Sequence, residues 1–297
     1  MPEYGAGTQH PVKVGRIRCD GKFLLKAVPK ESEPTNMQHR PRQAVADDNG
    51  AASSSTLDVG QLFLVAQPVV PLADAAQPAY YEILLRERDE HGDISTPSVL
   101  TEDDDAAHEE LDSWVLHTTA SWLSECERAA ASVNLTSASI RSGSGLKALR
   151  SAVEASGISP DRLMVELPEQ LVSTDPDAFT SAVRTAAEIG ARVAIDDLGS
   201  DRQALTTIRD VGVDAIKIDG FWVSKAVDDD LAEITIQSIV NAARLIGAQV
   251  VAEWIENEPT ADLMRGMGIG FGQGWLFGYP QSLDQITAEL ARQPAAA

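Results

Sequence analysis

Residues 192–220 read RVAIDDLGSDRQALTTIRDVGVDAIKIDG. The stretch begins with a strand-like run, RVAIDD (192–197), and ends with another, DAIKIDG (214–220). Between them QALTTIRDVG (203–212) reads as a helix. Strand, helix and strand in so short a span predict a parallel pair joined by a right-handed crossover. Two adjacent carboxylates, Asp196 and Asp197, close the first apolar run. A carboxylate is costly to bury without a partner. One Asp there fits a helix N-cap. Two at the C-terminal end of a strand also fit the oxygen ligands of Mg²⁺ or Mn²⁺. This segment alone leaves both readings open.

Working outward, the same alternation recurs. LDVGQLFLVAQPVVPL (57–72) and AYYEILLR (79–86) are β-rich, and a helical stretch follows over 108–130. Leu111, Val115, Trp122 and Cys126 can share one face of that helix. SVNLT (132–136), RLMVEL (162–167), AQVVAEWI (248–255) and IGFGQGWLFG (269–278) read as further strands. Helices are expected over 145–156, 175–190, 229–247, 259–268 and 282–292. About eight such units over ~240 residues suit an α/β, TIM-like (β/α)8 barrel better than an open sheet. No GxGxxG follows any strand, as a doubly wound nucleotide-binding sheet would want.

In such a barrel, chemistry sits at the C-terminal ends of the strands. Polar residues fall at or near that place in almost every unit: Glu82, Asn134, Glu166, Asp196 with Asp197, Lys217, Glu253 and Gln273. A lone Asn134 would by default be a hydrogen-bonded core residue. Five carboxylates converging on one mouth are different, because repulsion and desolvation would be severe without cations. Two divalent ions relieve both, and such a pair can clamp a phosphodiester and activate water.

Composition narrows the remaining choices. The 297 residues carry a formal net charge of −21, which argues against general nucleic-acid binding. Residues 1–45 run the other way, with eight Lys/Arg against four Asp/Glu. Residues 1–56 are expected to be an N-terminal extension, with a hairpin over 12–29 and a polar linker over 31–56; residues 57–297 form the barrel. The extension is a solvated tail or a contact for a protein partner. The two cysteines, Cys19 and Cys126, form no CxxC pair, which suits a reducing cytoplasm. No apolar stretch approaches the ~20 residues of a membrane span. None of the five histidines falls at a strand end, and no GxSxG elbow is present, so neither a His-rich zinc centre nor a serine hydrolase is supported.

With those residues in place, the chain resembles the EAL-domain family of bacterial cyclic di-GMP phosphodiesterases from about Gln61 to Leu290. The signature tripeptide corresponds to Glu82-Ile83-Leu84, with Ile in place of Ala. QPVV (67–70), VNLT, VELPE, AIDDLGS, IKIDG, VVAEWIEN and GQGWLFGYP follow in family order. The resemblance implies a barrel whose first strand is antiparallel, and hydrolysis of cyclic di-GMP to linear pGpG. It implies that Glu82, Asn134, Glu166 and Asp196 hold one metal ion, and that Asp196 and Asp197 hold a second. Glu253 would help bind the second metal or its water. Lys217 would orient the attacking water, and Gln273 would orient the site. Gln67 and Arg86 would touch substrate, Glu169 would steady the loop after Asp197, and Glu256 would support the site from behind. A homodimer is expected.

Two regions depart from the family. The loop Leu198-Gly199-Ser200-Asp201-Arg202-Gln203-Ala204 lacks a second glycine. An Asp201–Arg202 or Arg202–Glu169 pairing would hold it rigid and slow turnover. The segment TPSVLTEDDDAAHEELD (96–112) is short and very acidic where the family lines its pocket, and Trp254 is expected to narrow the mouth. These departures raise a second reading, a non-catalytic module that binds cyclic di-GMP or a protein partner as a sensor. The full set of matched metal and water-positioning residues favours catalysis.

Overall fold

The structure, a computed structural model, describes residues 61–101, 104–199 and 202–292. The expectations for residues 1–60, and those for Ser200, Asp201 and the side chain of Arg202, lie outside the described residues.

The chain begins with β1 (Leu62–Pro71), β2 (Tyr80–Arg88) and a short β3 (Ile94–Ser95), then α1 (Asp105–Glu125). β4 (Ala131–Asn134) leads into α2 (Ser137–Ser142) and α3 (Ser144–Ser156). β5 (Leu163–Pro168) precedes α4 (Glu169–Thr174) and α5 (Pro176–Ile189), and β6 (Arg192–Leu198) precedes α6 (Arg202–Val211). β7 (Ala215–Ile218) is followed by α7 (Gly220–Lys225) and α8 (Asp230–Ile246). β8 (Gln249–Ala252), α9 (Glu258–Gly266), β9 (Phe271–Gln273), β10 (Gln281–Ser282) and α10 (Leu283–Arg292) complete it.

β2 and β4 through β9 are parallel neighbours in order. β1 pairs antiparallel with both β2 and β9 and so closes the ring. Among the described residues this gives an eight-stranded closed barrel with one reversed strand, as expected. Alternation along each strand divides its side chains between two cores. On β5, Leu163, Val165 and Leu167 face the helical layer, while Met164 belongs to a second cluster with Val69, Tyr80, Ala194, Ala215 and Val251. That second cluster is the floor of the barrel interior.

Two residues beyond each floor residue stands a polar one. Tyr80 leads to Glu82, Met164 to Glu166, Ala194 to Asp196, Ala215 to Lys217 and Val251 to Glu253. On β1 the order is reversed: Gln67 stands two residues before the floor residue Val69, because this strand runs the other way. The side-chain period of two, on strands stopped at a common level, is what gathers the polar groups at one end.

Some element boundaries differ from expectation. α1 begins at Asp105, and the Asp104 side chain caps it by accepting from the Ala107 N–H at 3.0 Å. Part of the acidic segment is therefore a helix start rather than pocket lining. The same helix stops at Glu125 instead of Ala130. Arg162 braces this end, donating to Leu123 O at 2.8 Å within the helix and to Cys126 O at 2.5 Å and Ala129 O at 2.8 Å just beyond it. α2, α4 and α7 were not expected, since six residues are too few to display a helical period.

Candidate active site

The inward polar row converges on the ammonium of Lys217, which is fully buried. Its Nζ lies 2.6 Å from Glu166 Oε2, 2.7 Å from Asp196 Oδ1, 2.8 Å from Glu253 Oε1 and 3.4 Å from Glu82 Oε1. Burial alone would lower the lysine pKa, but these four carboxylates outweigh it and hold the group well above its ordinary value. Lys217 is therefore cationic.

Three carboxamides surround the signature carboxylate. Gln273 Nε2 donates to Glu82 Oε2 at 2.5 Å and to Gln67 Oε1 at 3.2 Å. Asn134 Nδ2 donates to Glu82 Oε1 at 3.0 Å, and Gln67 Nε2 donates to Gly278 O at 3.2 Å. Glu82 is thus oriented from both sides before any ligand arrives. Arg86, also buried, donates to Leu85 O at 2.8 Å and lines the same cleft as Glu82. Burial lowers its pKa, and Glu82 opposes that effect.

At the end of β6 the pairing with β7 slips between Ile195 and Leu198, and Asp197 takes a left-handed backbone with φ 55°. That twist lets two adjacent carboxylates serve one site, where a regular strand would send them to opposite faces. Asp197 joins Asp196 and Glu253 in a group whose ligand oxygens lie within 4.8 Å of one another. Glu169, at the start of α4, accepts the Gly199 N–H at 3.2 Å and so ties the loop beyond Asp197 to α4. Glu256 departs from expectation. Its side chain is exposed, with no hydrogen bond to a described residue.

The cluster is short of positive charge. Burial pushes Glu166 up to about 8, with Lys217 opposing and Glu82 and Asp196 adding to the rise. Burial, then Asp196 and Glu253, push Asp197 up to about 9, and burial takes Asp196 to about 6. Glu166 Oε1 is buried without a hydrogen-bond partner among the described residues. Five carboxylates against one ammonium, with a buried oxygen to spare, form a donor set compatible with divalent cations.

Asp112 lies on the cleft wall and carries no signal in its sequence context, which reads only as the polar face of α1. Its Oδ2 accepts from Thr136 N at 2.7 Å, Thr136 Oγ1 at 2.8 Å and Ser139 Oγ at 2.5 Å. It therefore fixes the turn just beyond Asn134. Burial raises it to about 6 against those bonds.

The sequence model of the EAL domain matches residues 51–280. The cyclic di-GMP phosphodiesterase PdeF of Escherichia coli K12 is 28% identical over 273 residues, 86% of this chain and 36% of the relative. The cyclic di-GMP phosphodiesterase PdeB of Shewanella oneidensis is 24% identical over 278 residues, 89% of this chain and 31% of the relative. The chain thus spans about a third of the length of these curated relatives. In fold it is similar to the PaMucR phosphodiesterase solved as a c-di-GMP complex, with a TM-score of 0.73 at 22% identity over 77% of this chain and 96% of that one. The match spans every strand of the ring and every inward polar residue, and on that ground the chain belongs to the EAL domain family.

Proposed function

We propose that this chain hydrolyses cyclic di-GMP to linear pGpG in a metal-dependent reaction. One observation carries the reading: four carboxylates surround a single ammonium, with a fifth, Asp197, beside Asp196 and Glu253, at one end of a cleft also lined by Ile83, Leu84, Leu85, Leu100 and Leu111. The family and the names of its relatives support the choice of ligand.

Glu82, Asn134, Glu166 and Asp196 would hold one divalent cation, and Asp196, Asp197 and Glu253 a second. Mg²⁺ or Mn²⁺ there supplies Lewis acidity toward a phosphate oxygen and lowers the pKa of a nearby water. Lys217 holds the attacking water in line and offsets the negative charge that builds on the phosphoryl oxygens. Gln273 and Gln67 keep Glu82 in its ligating rotamer. Arg86, which donates to the Leu85 carbonyl, would exchange that contact for a phosphate oxygen of the substrate. Glu169 keeps the loop after Asp197 attached to α4. Water adds across one phosphodiester, one P–O ester bond breaks, and the leaving ribose oxygen takes a proton.

Self-association fits the same reading, since Phe221, Leu231 and Ile234 on α7 and α8 expose apolar side chains at 47–63%. Among the described residues, no helix is long and apolar enough to cross a membrane. A cytoplasmic location follows from the reading, where a nucleotide second messenger is at hand.

The test is incubation of the purified chain with cyclic di-GMP and Mg²⁺ or Mn²⁺, followed by chromatographic separation of pGpG. Metal-dependent appearance of pGpG is expected. Binding without turnover would make the chain a sensor, and no binding would overturn the reading.

A further inference from the structure

Two non-glycine residues among those described have left-handed backbones, Asp197 and Trp254. Aspartate tolerates that region, but for a bulky side chain it is an outlier. Such strain persists only where the surroundings enforce it, and it gathers at ligand sites. Trp254, with φ 53°, directly follows Glu253.

The contacts indicate what the twist achieves. A Cβ built on Gly220 would stand 2.1 Å from Trp254 Cγ and 2.2 Å from Cδ2. One face of the indole therefore lies flat on the Gly220 backbone, and no side chain fits between them. The same residue lines the cleft beside Asp196, Asp197 and Glu253, in a wall that also includes Leu85, Leu100 and Leu111. The ring thus lines the cleft with the Gly220 backbone directly behind it. Trp122 provides the contrast. It is a packing tryptophan, 6% exposed, with its N–H bonded to Thr287 Oγ1 at 3.0 Å. Trp254 is only half-buried, and its N–H bonds to no described residue. It is held rigidly without being packed as a core residue.

We propose that Trp254 is a stacking platform for one purine base of the substrate. The inference rests on cyclic di-GMP as the ligand. The carboxylate end of the cleft, which would hold the cations, is the end that would take the phosphodiester. The indole, next in sequence to Glu253, presents a flat apolar surface to the base joined to that phosphate. Stacking of this kind needs no hydrogen-bond readout and operates on any base face.

The test compares wild type with Trp254→Phe and Trp254→Leu. Cyclic di-GMP binding is measured by calorimetry in Ca²⁺, with intrinsic tryptophan emission followed in parallel and melting temperature as the control for folding. Wild type should bind with quenched emission. Trp254→Phe should retain affinity to within about threefold but lose the quench. Trp254→Leu should weaken binding by about tenfold to a hundredfold, with a melting temperature matching that of Trp254→Phe. Wild-type affinity in Trp254→Leu, or equal losses in both variants alongside equal drops in melting temperature, would overturn the platform and leave the ligand reading intact. A wild type that does not bind cyclic di-GMP overturns both.

Discussion

Replacing Lys217 by alanine removes, among the described residues, the ammonium that sits between Glu82, Glu166, Asp196 and Glu253. Deleting one partner of a buried ion pair costs ~3–5 kcal/mol, because a buried charge is left uncompensated. Several partners are stranded at once here, which places the cost near the upper end. Proton uptake by Asp196, at about 6 beside the ammonium, offsets part of it at neutral pH. At this chain length 1 kcal/mol moves the melting temperature by ~2–4 °C, so about 5 kcal/mol predicts a drop of ~10–20 °C in chelator. A divalent cation replaces the lost charge, so Mg²⁺ or Mn²⁺ should restore most of that drop and stabilise the variant more than wild type. Differential scanning fluorimetry in EDTA and after cation addition reads both effects. On the role proposed for Lys217, toward the attacking water and developing charge, turnover should fall by orders of magnitude while cyclic di-GMP binding is largely retained. The reasoning is refuted if Lys217→Ala in EDTA melts within about 2 °C of wild type, or gains no more from cation than wild type does.

Glu82→Ala or Asp196→Ala should each abolish pGpG formation, and Ca²⁺ should inhibit wild type, because its larger and looser shell holds oxygens poorly for in-line attack; wild-type turnover in either variant would void the ligand assignment. In chelator, stability should decline as pH rises. Glu166, Asp196 and Asp197 sit at about 8, 6 and 9 in the fold, all above their unfolded values, so the native state binds the extra protons across roughly pH 4–9 and loses that advantage on deprotonation. Melting curves from pH 5 to 9 should slope downward in EDTA and flatten with Mg²⁺; a rising slope in EDTA would contradict the charge deficit. Gly274→Ala should destabilise by ~3 kcal/mol or more, because its Cβ would meet the Ile255 backbone oxygen at 2.1 Å and backbone cannot step aside; a soluble variant with an unchanged urea midpoint would show the contact to be slack.

The barrel is legible in the recurring alternation of strand and helix, and the site in polar residues at the strand ends, several of them two residues beyond a floor residue. Ala194 with Asp196 and Ala215 with Lys217 are readable without knowing where either strand lies. The reversed order at Gln67 and Val69 was equally available, but it acquires meaning only once β1 is known to run backwards. Other features depended on tertiary partners. Asp112 reads as a solvated helical acid until Thr136 and Ser139, 24 and 27 residues away, donate to it. The end of α1 is set by Arg162, far outside any local window. The acidic segment 96–112 does not reveal by sequence which member caps a helix, and that member is Asp104. Glu256 enters the expected site only through the resemblance to the family, and in the fold its side chain is exposed. The loop at Ser200 and Asp201 keeps its sequence-based expectation of slow turnover.

The floor formed by Val69, Tyr80, Met164, Ala194, Ala215 and Val251 makes the barrel a vessel with one opening, since each of these side chains is at most 3% exposed. A vessel with one opening imposes a queue. Whatever lies deepest, against Glu166 and Lys217, must enter before anything seated at the rim and can leave only after it. Ion and nucleotide then cannot exchange independently. The nucleotide becomes a stopper, and a chelator added after it should strip ions only as fast as the stopper lifts.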